Sequence, residues 1–521
     1  MGIRMDIKRT GFYSELDDDR RKEYFSAKSH KTISTIDNLY YTVFISGDGK
    51  NYNNMAIHSL ISDLEINKAE TEEIKEPVLY MDGLYCMLKS YKNYVFCLSD
   101  PDLYDIFFCR NLPNDETPRI VVQLRAFGLW TKGTEELLES SFAKVKAVLE
   151  AHGCAVDWCR ESRIDYCYHT NTIQSLNKLF KENSEGKVKN LHSNLQNVTW
   201  NADKIQEDDG TIFIKNYLCF GRIKSNNVRA RIYDKVKEVI ENGYKGFFFE
   251  IWHNNGLISY YDKWCMEYAL QHRNTKYLYK AALEFYVEHG DDGVLKAEFW
   301  KALSSPKTTL AAFKKLSEKH MPSITTIINI EYETKRKFYY YSDNFIDNFK
   351  LSDNKGDISK PLERIYKILE YREVFIDYLT SQTLSFHKGI DKDGNYLYLA
   401  WWERLRNTKH GGVKTDLKLL RVYSKNMDKK LVEKKLVNTL ASASVYENRL
   451  GTTFVEDFSD LLADISDNEA HKMGIRFYNN DGKEIHDVLG SAVRDYNITK
   501  QRKQILLKNR TLKNSNNQAS V

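Results

Sequence analysis

Short runs of β-branched and aromatic residues recur along the first 220 residues and constrain the fold more than any other feature of the sequence. They predict strands over residues 35–45, 78–88, 94–98, 119–124, 162–169 and 211–219. A helical run lies among them at Gly133–His152, where apolar residues recur at helix spacing. Many strands with few interposed helices, without regular alternation, indicate an α+β fold built on a sheet.

The second half of the chain has a different pattern. Residues 236–319 are predicted to be mostly helical, and a strand follows at Thr325–Tyr332. Beyond it come a helical stretch at Leu362–Leu379, a mixed segment around Tyr396–Leu405 and a mostly helical C-terminal region. We expect a boundary near Asp353–Ile358, between the sheet domain and that C-terminal region.

The composition and the cysteine pattern indicate the cellular compartment of the protein. Hydrophobic residues make up 42% and charged residues 29%, which is typical of a globular chain. The eight cysteines contain no Cys-x-x-Cys pair, which favours reduced thiols over a disulfide framework or a zinc site. There is no apolar run of about 18 residues and no apolar stretch typical of a signal peptide at the N-terminus, so we expect a cytoplasmic protein without a membrane segment.

The last stretch of the chain is basic. Residues 501–521 carry Arg502, Lys503, Lys508, Arg510 and Lys513 without an acid, and this alone equals the net charge of +5. Such a tail is either a solvated end or a contact with nucleic acid.

Several standard signatures are absent from the sequence. There is no Gly-x4-Gly-Lys-Ser/Thr motif, so the chain does not resemble an ATPase that unwinds DNA itself. There is also no His-x-His pair and no Cys/His cluster with zinc spacing. A metal site would therefore consist mainly of carboxylates, which points to Mg²⁺ or Mn²⁺.

The strand Ser162–His169 carries an acid in its middle. Alternation places Arg163, Asp165 and Cys167 on one face. A carboxylate is costly to bury there unless it is paired or binds a metal. Two interpretations follow: an Arg–Asp pair at a strand edge, or a ligand in a metal site.

The segment Tyr217–Glu238 carries a second constellation. A tyrosine hydroxyl such as that of Tyr233 can attack a phosphodiester when a neighbouring cation, here Lys235, lowers the cost of its charge. Asp234 can reach a metal beside it. The preceding basic residues are candidates to hold DNA phosphates, namely Arg222, Lys224, Arg229 and Arg231. The alternative is a core tyrosine at the start of a charged helix.

Four pieces occur in a characteristic order: Asp37-x-Leu-x-x-Thr-Val43, Arg163-Ile-Asp165, Phe220-Gly221-x3-Ser225, and Arg231-Ile-Tyr-Asp-Lys235-x-x-Glu238. In this order the chain resembles the Rep_trans family, the replication initiators of rolling-circle plasmids and the related relaxases of Gram-positive conjugative elements. The resemblance covers roughly residues 35–345. It implies an antiparallel-sheet nicking domain with a HUH-like or RRM-like endonuclease core.

The resemblance also implies roles for individual residues. Tyr233 takes the nucleophile position, with Lys235 beside it, and Asp165 and Asp234 are metal ligands. Arg163 and Ser225 join the DNA-binding set. A further carboxylate comes from a downstream strand, where Glu331 is favoured over Glu267, which lies on a predicted helix. Asn329 replaces the basic residue usual before that glutamate, and the long spacing indicates a helical insertion at about 246–321.

The expected organisation is an N-terminal arm (1–33), a nicking domain (34–350), a C-terminal DNA-binding or dimerisation region (358–500) and the basic tail (501–521). The expected function is sequence-specific nicking and closing of an origin, single-stranded or extruded as a hairpin, through a 5′-phosphotyrosine and a free 3′-OH. A host helicase and polymerase are the expected partners, with a homodimer as a further assembly. The alternatives are a relaxase acting at a transfer origin and a non-catalytic DNA-binding repressor.

Overall fold

A computed structural model describes residues 11–28, 30–48, 54–113, 117–173, 175–191, 201–206, 212–220, 227–291, 293–343, 360–411 and 439–449, with the single residues 453, 456, 497 and 500. The chain divides into two compact units, Met1–Arg421 and Val422–Val521. In the second unit, residues 439–446 form a helix that buries Leu440, Ala441 and Val445. The candidate site lies in the first unit.

Antiparallel strands dominate the first unit. They are β1 Thr32–Ile45, β2 Val78–Met81, β3 Leu84–Cys86, β4 Tyr94–Asp100, β5 Tyr104–Cys109, β6 Ile120–Leu124, β7 Val156–Thr170, β8 Lys189–Leu191, β9 Asn201–Gln206, β10 Ile212–Phe220, β11 Val228–Asp234, β12 Ile328–Lys335, β13 Ser385–Ile390 and β14 Tyr396–Tyr398. Eleven of these described strands form one sheet in the order β2-β3-β4-β5-β6-β1-β7-β12-β11-β10-β9. The long strands β1 and β7 therefore lie at its centre, and β8, β13 and β14 form a separate small sheet.

The helices are α1 Gly11–Glu15, α2 Asp18–Phe25, α3 Met55–Ile74, α4 Ala126–Thr131, α5 Thr134–Ala151, α6 Leu176–Ser184, α7 Lys235–Asn242, α8 Phe247–Asn254, α9 Tyr260–Gln271, α10 Tyr277–His289, α11 Gly293–Ser304, α12 Leu310–His320, α13 Arg336–Asp343, α14 Glu363–Glu370, α15 Arg372–Tyr378 and α16 Ala400–Arg406. A π-helical turn, Leu379–Thr383, follows α15. Among these described helices, none has the length and apolar character needed to cross a membrane.

One face of the large sheet is apolar and covered by helices. Helices α3 and α5 pack their apolar stripes onto it, with Leu60 and Leu64 from α3 and Leu138 and Val145 from α5 fully buried. This is the expected outcome for amphipathic helices against a sheet with one apolar face.

Residues 360–411 also belong to this core, and not to a separate C-terminal region beginning at 358. Ile365, Ile368 and Leu369 of α14 are buried against the sheet. The buried carboxylate of Glu161 on β7 accepts two hydrogen bonds from Arg364, at 2.6 and 2.8 Å. The predicted boundary near 353–358 therefore differs from the division at residue 421, because the sheet needs the apolar faces of α14–α16 to complete its core.

Helices α8–α12 occupy the range for which the sequence predicted a helical insertion. They have an aromatic core of their own, in which Phe12 and Phe25 from the N-terminal helices contact Phe285 and Tyr286 of α10. The N-terminal arm therefore packs on the insertion. The chain enters the insertion through α7, directly after β11.

Candidate functional site

The second face of the large sheet is polar where β7, β12 and β11 pair. The register of β7, β12 and β11 brings side chains from the three strands together in rows, because paired residues point to the same side. The rows are Asp165–Glu333–Arg229, Cys167–Glu331–Arg231 and His169–Asn329–Tyr233. The strand pairing thus places the predicted nucleophile and two predicted metal ligands on one surface.

The Tyr233 hydroxyl lies at the end of this surface among three polar groups. It donates to Glu331 Oε2 at 3.1 Å and accepts from Asn329 Nδ2 at 2.7 Å and from Lys235 Nζ at 3.3 Å. Burial raises the pKa of Tyr233 well above its ordinary value, and Lys235 opposes that rise. The phenol is therefore neutral at pH 7, with a carboxylate to receive its proton and an ammonium to stabilise the resulting charge.

Lys235 is the first residue of α7 and its side chain is fully buried. Its ammonium lies 2.7 Å from Glu238 Oε2, and over the rings of Tyr233 and Phe248 at 5.3 and 5.0 Å. Burial opposes its charge, but Tyr233, Asp37 and Glu238 together raise its pKa above the ordinary value. Lys235 is thus held as a fixed cation beside the hydroxyl.

Asp37 provides part of that environment and was not assigned a role from the sequence. It occupies a β-bulge of β1, between residues Ile36 and Asn38 that pair with β7. Its Oδ1 accepts from Trp130 Nε1 at 3.0 Å. Burial opposes its ionisation, yet Lys235, Lys245 and His169 lower the pKa of Asp37 to about 2. It is therefore an ionised, buried counter-charge to Lys235.

Arginines pair with the carboxylates of this face. Arg163 donates to both oxygens of Asp165, at 2.8 and 2.5 Å, and lies 3.3 Å from Glu333. Arg231 donates to Glu331 Oε1. Burial raises the pKa of Asp165 to about 7, with Arg163 lowering it and Glu331 raising it. The Arg–Asp pair considered from the sequence is present, but in a central strand and not at an edge.

The structure does not bring Asp234 into this cluster. Successive strand residues point to opposite sides, so Asp234 faces away from Tyr233. Its Oδ1 accepts from the backbone N–H of Lys237 at 2.9 Å and caps α7, and burial raises the pKa of Asp234 to about 6. It lines a separate cavity of about 930 Å³ together with Tyr279 and Lys314.

The predicted metal set Asp165, Asp234 and Glu331 therefore does not fit a metal ion as arranged, because its members do not converge and two of them are paired with arginines. In the described part of the chain, no group of three His, Cys, Asp or Glu side chains is placed to hold one. Glu267, the alternative ligand, lies on α9 with its side chain half exposed and pairs with Lys263 at 3.7 Å. Of the two candidate glutamates, Glu331 is the one that contacts Tyr233.

Three of the predicted DNA-binding residues lie on the polar face, namely Arg163, Arg229 and Arg231, with side chains 27%, 16% and 28% exposed above more deeply buried carboxylates. Arg222, Lys224 and Ser225 lie outside the described residues, as does the basic tail.

The sequence did not single out Glu333. Glu238 was named only as part of the family pattern, and Asn329 only as a departure from it. The alternation along Asn329-x-Glu331-x-Glu333 could have indicated that these three side chains of β12 lie on one face of a strand, as they do on the polar face. Glu238 follows Lys235 by three residues, a spacing that brings two helical side chains together.

Comparisons with known proteins identify few similar chains. No protein family model matches this chain, and no curated protein sequence matches it significantly. Among solved structures it is similar to the "Rolling Circle Replication Initiator Protein from Geobacillus stearothermophilus", at 11% identity and a TM-score of 0.33. That match covers 74% of this chain and 100% of the other. A TM-score at this level does not by itself assign a fold or an activity.

Proposed function

We propose that this chain is a sequence-specific DNA nicking and closing enzyme that initiates rolling-circle replication of a plasmid or mobile element, with Tyr233 as its nucleophile. One observation carries the proposal. The Tyr233 hydroxyl is held between the Glu331 carboxylate and the buried Lys235 ammonium, on a sheet face that also presents arginines. This is the arrangement that a nucleophile and its activating groups require.

The reaction can be written with these side chains. Tyr233 Oη attacks the scissile phosphorus while its proton passes to Glu331 Oε2, which already accepts its hydrogen bond at 3.1 Å. The bond from phosphorus to the 3′ oxygen breaks, and that oxygen takes a proton from water to become a free 3′-OH, while Glu331 returns its proton to solvent. The 5′ phosphate stays on Tyr233. Reversal of the step reseals the strand.

Positive charge supports both stages. Lys235 stabilises the charge that develops on the phenolic oxygen and on the phosphate. Arg163, Arg229 and Arg231 hold flanking phosphates, since guanidinium groups bind phosphate oxygens in a fixed geometry. Mg²⁺ or Mn²⁺, implied by the family resemblance, would supply Lewis-acid chemistry when bound, but the carboxylates as arranged do not fit such an ion.

The substrate is the DNA origin of the element, presented as a single strand or an extruded hairpin. A host helicase is needed because the sequence has no ATP-binding P-loop, and a host polymerase extends the 3′-OH. The polar face forms the catalytic surface in this scheme.

The decisive test compares Tyr233→Phe with Tyr217→Phe. Tyr217 is the register partner of Tyr233 on β10, so it is a matched control on the same face. With supercoiled plasmid carrying the element's own origin and Mn²⁺ supplied, we expect Tyr233→Phe to lose nicking by about 10⁴-fold or more, and Tyr217→Phe to retain it.

Undiminished nicking by Tyr233→Phe would remove the assignment. Origin binding by the wild-type chain without any cleavage would favour a non-catalytic DNA-binding protein instead. Mapping of a 5′-labelled phosphate to the peptide that contains Tyr233 would support the covalent step directly.

A further inference from the structure

An aromatic pair lies on the polar face far from Tyr233. Phe44 of β1 and Trp158 of β7 are register partners, and their rings stack at 4.3 Å with an angle of 5° between planes. Arg160 places its guanidinium over both rings, at 4.7 and 5.2 Å. Both aromatic side chains are partly exposed, whereas Val43 and Ile45 beside Phe44 are buried in the core.

A second group continues from this pair toward the site along the same two strands. Tyr40 is buried with its ring stacked on Tyr91 at 5.6 Å, and the partly exposed guanidinium of Arg163 lies 5.5 Å from the Tyr40 ring. Arg163 also donates a hydrogen bond to Asp165, which belongs to the first row of the candidate site. From Trp158 to Asp165 the strand advances about 20 Å at ~3.3 Å per residue.

The partly exposed residues of the two groups form what we term the stacking strip, defined as Phe44, Trp158, Arg160 and Arg163. A cross-strand aromatic pair can serve sheet stability alone. Here, however, the partly exposed ring pair is followed along β7 by two guanidinium groups, those of Arg160 and Arg163, and the second of them pairs with Asp165. Aromatic faces and guanidinium planes stack on unpaired bases, and arginines also bind the phosphates between them.

We propose that the stacking strip binds single-stranded DNA next to the nick site, with bases on Phe44 and Trp158 and phosphates on Arg160 and Arg163. The proposal rests on the nicking function proposed above. It favours single-stranded over duplex DNA, because paired bases do not expose their faces for stacking. It also gives the strand a path along the centre of the sheet, on the side that carries Tyr233.

The test measures binding separately from cleavage. In a Tyr233→Phe background, fluorescence anisotropy with a labelled oligo(dT) is compared for Trp158→Ala, Arg160→Gln and a control, Trp300→Ala. Trp300 is 62% exposed on α11 of the helical insertion, away from the strip. We expect about 10-fold weaker binding for Trp158→Ala and no change for the control.

Arg160→Gln leaves the rings in place and examines the phosphate contact. We expect weaker binding and a slope of log affinity against log salt that is reduced by about 0.7, the value for one phosphate contact on a single strand. Affinity for a blunt duplex of equal length is expected to be unchanged in Trp158→Ala. Circular dichroism confirms that each variant is folded, and Trp158→Phe, which keeps an aromatic ring, should recover most of the affinity.

Wild-type affinity for oligo(dT) in both Trp158→Ala and Arg160→Gln would overturn the proposal. So would an equal loss for duplex and single strand, or tighter binding of the matching RNA than of DNA. These binding outcomes do not depend on which residue is the nucleophile. If Tyr233→Phe still nicks DNA but the strip variants lose single-strand binding, the assignment of Tyr233 as nucleophile is wrong. The proposal that the stacking strip binds single-stranded DNA is then still supported.

Discussion

The two faces of the central sheet use the same side chain in different ways. On the apolar face, the hydroxyls of Tyr166 and Tyr339 share a hydrogen bond of 3.0 Å, and Tyr339 also bonds the Thr334 hydroxyl at 2.6 Å. On the polar face, the Tyr233 hydroxyl contacts a carboxylate and an ammonium. The tyrosines of the apolar face thus have neutral hydroxyl partners, whereas Tyr233 lies between a carboxylate and an ammonium.

Burial alone does not distinguish the two groups. It raises the pKa of Tyr166, Tyr339 and Tyr233 alike. The difference lies in Lys235, which is positioned by the start of α7 directly after the strand that carries Tyr233. The direct passage from β11 into α7 thus places an ammonium beside Tyr233, and this contact distinguishes the candidate nucleophile from the structural tyrosines.

The comparison is tested most strongly by removing that cation. Lys235→Met is expected to lower the nicking rate by about 100- to 1,000-fold, the effect of removing one preorganised charge-stabilising group. Lys237→Met, two residues further along α7, is the matched control and should stay near the wild-type rate. Single-turnover nicking of supercoiled origin plasmid measures the rates of both variants. A fully active Lys235→Met would show that the cation beside Tyr233 does not distinguish the polar face from the apolar face.

Substitution of Asp37 is expected to have a smaller effect, on the pH dependence of the free energy of unfolding. Its folded-state pKa of about 2 lies below the ordinary 3.8, so its ionised form stabilises the fold. That contribution, about 2 kcal/mol, is present above about pH 4 and is lost as pH falls through about 2. Asp37→Asn should therefore show a smaller decrease in the free energy of unfolding between pH 5 and pH 2.5.

Denaturant titrations at the two pH values measure this difference. Asp393→Asn, in an exposed turn, serves as the control and should follow the wild-type pH dependence. Equal acid sensitivity in the Asp37→Asn and wild-type proteins would show that Asp37 is not an ionised counter-charge in the fold.

The smallest expected effect is on the apolar face. Tyr339→Phe removes hydroxyl contacts to Tyr166 and Thr334 and should lower the free energy of unfolding by about 1 kcal/mol. Nicking should be unchanged at a temperature where the variant is folded. A loss of nicking comparable to that of Lys235→Met would mean that the polar face depends on the packing behind it.

Local sequence patterns predicted the mixed helix and sheet composition and several individual elements. The alternation in Ser162–His169 correctly placed Arg163 and Asp165 on one face of a strand, now seen within β7. The apolar spacing at Gly133–His152 likewise corresponds to α5, Thr134–Ala151. Such signals are local, because strand alternation and helix periodicity depend only on near neighbours.

The remainder depends on long-range register. Glu331 reaches Tyr233 because β12 pairs with β11, although the two residues are 98 positions apart. Asp234 was expected to reach the same site as Tyr233. Because neighbouring residues of a strand point to opposite sides, its side chain instead faces away and caps α7. Asp37 enters the site only through a bulge in β1, which no spacing rule in the sequence indicates.

The ion pair between Glu161 and Arg364 has a consequence for how far the chain can be shortened from its C-terminal end. Because Arg364 and the apolar face of α14 complete the core beneath the polar face, a chain ending near residue 350 would leave part of the apolar face uncovered, although α3 and α5 would remain in place. A shortened chain that keeps this core therefore needs the residues to about 411.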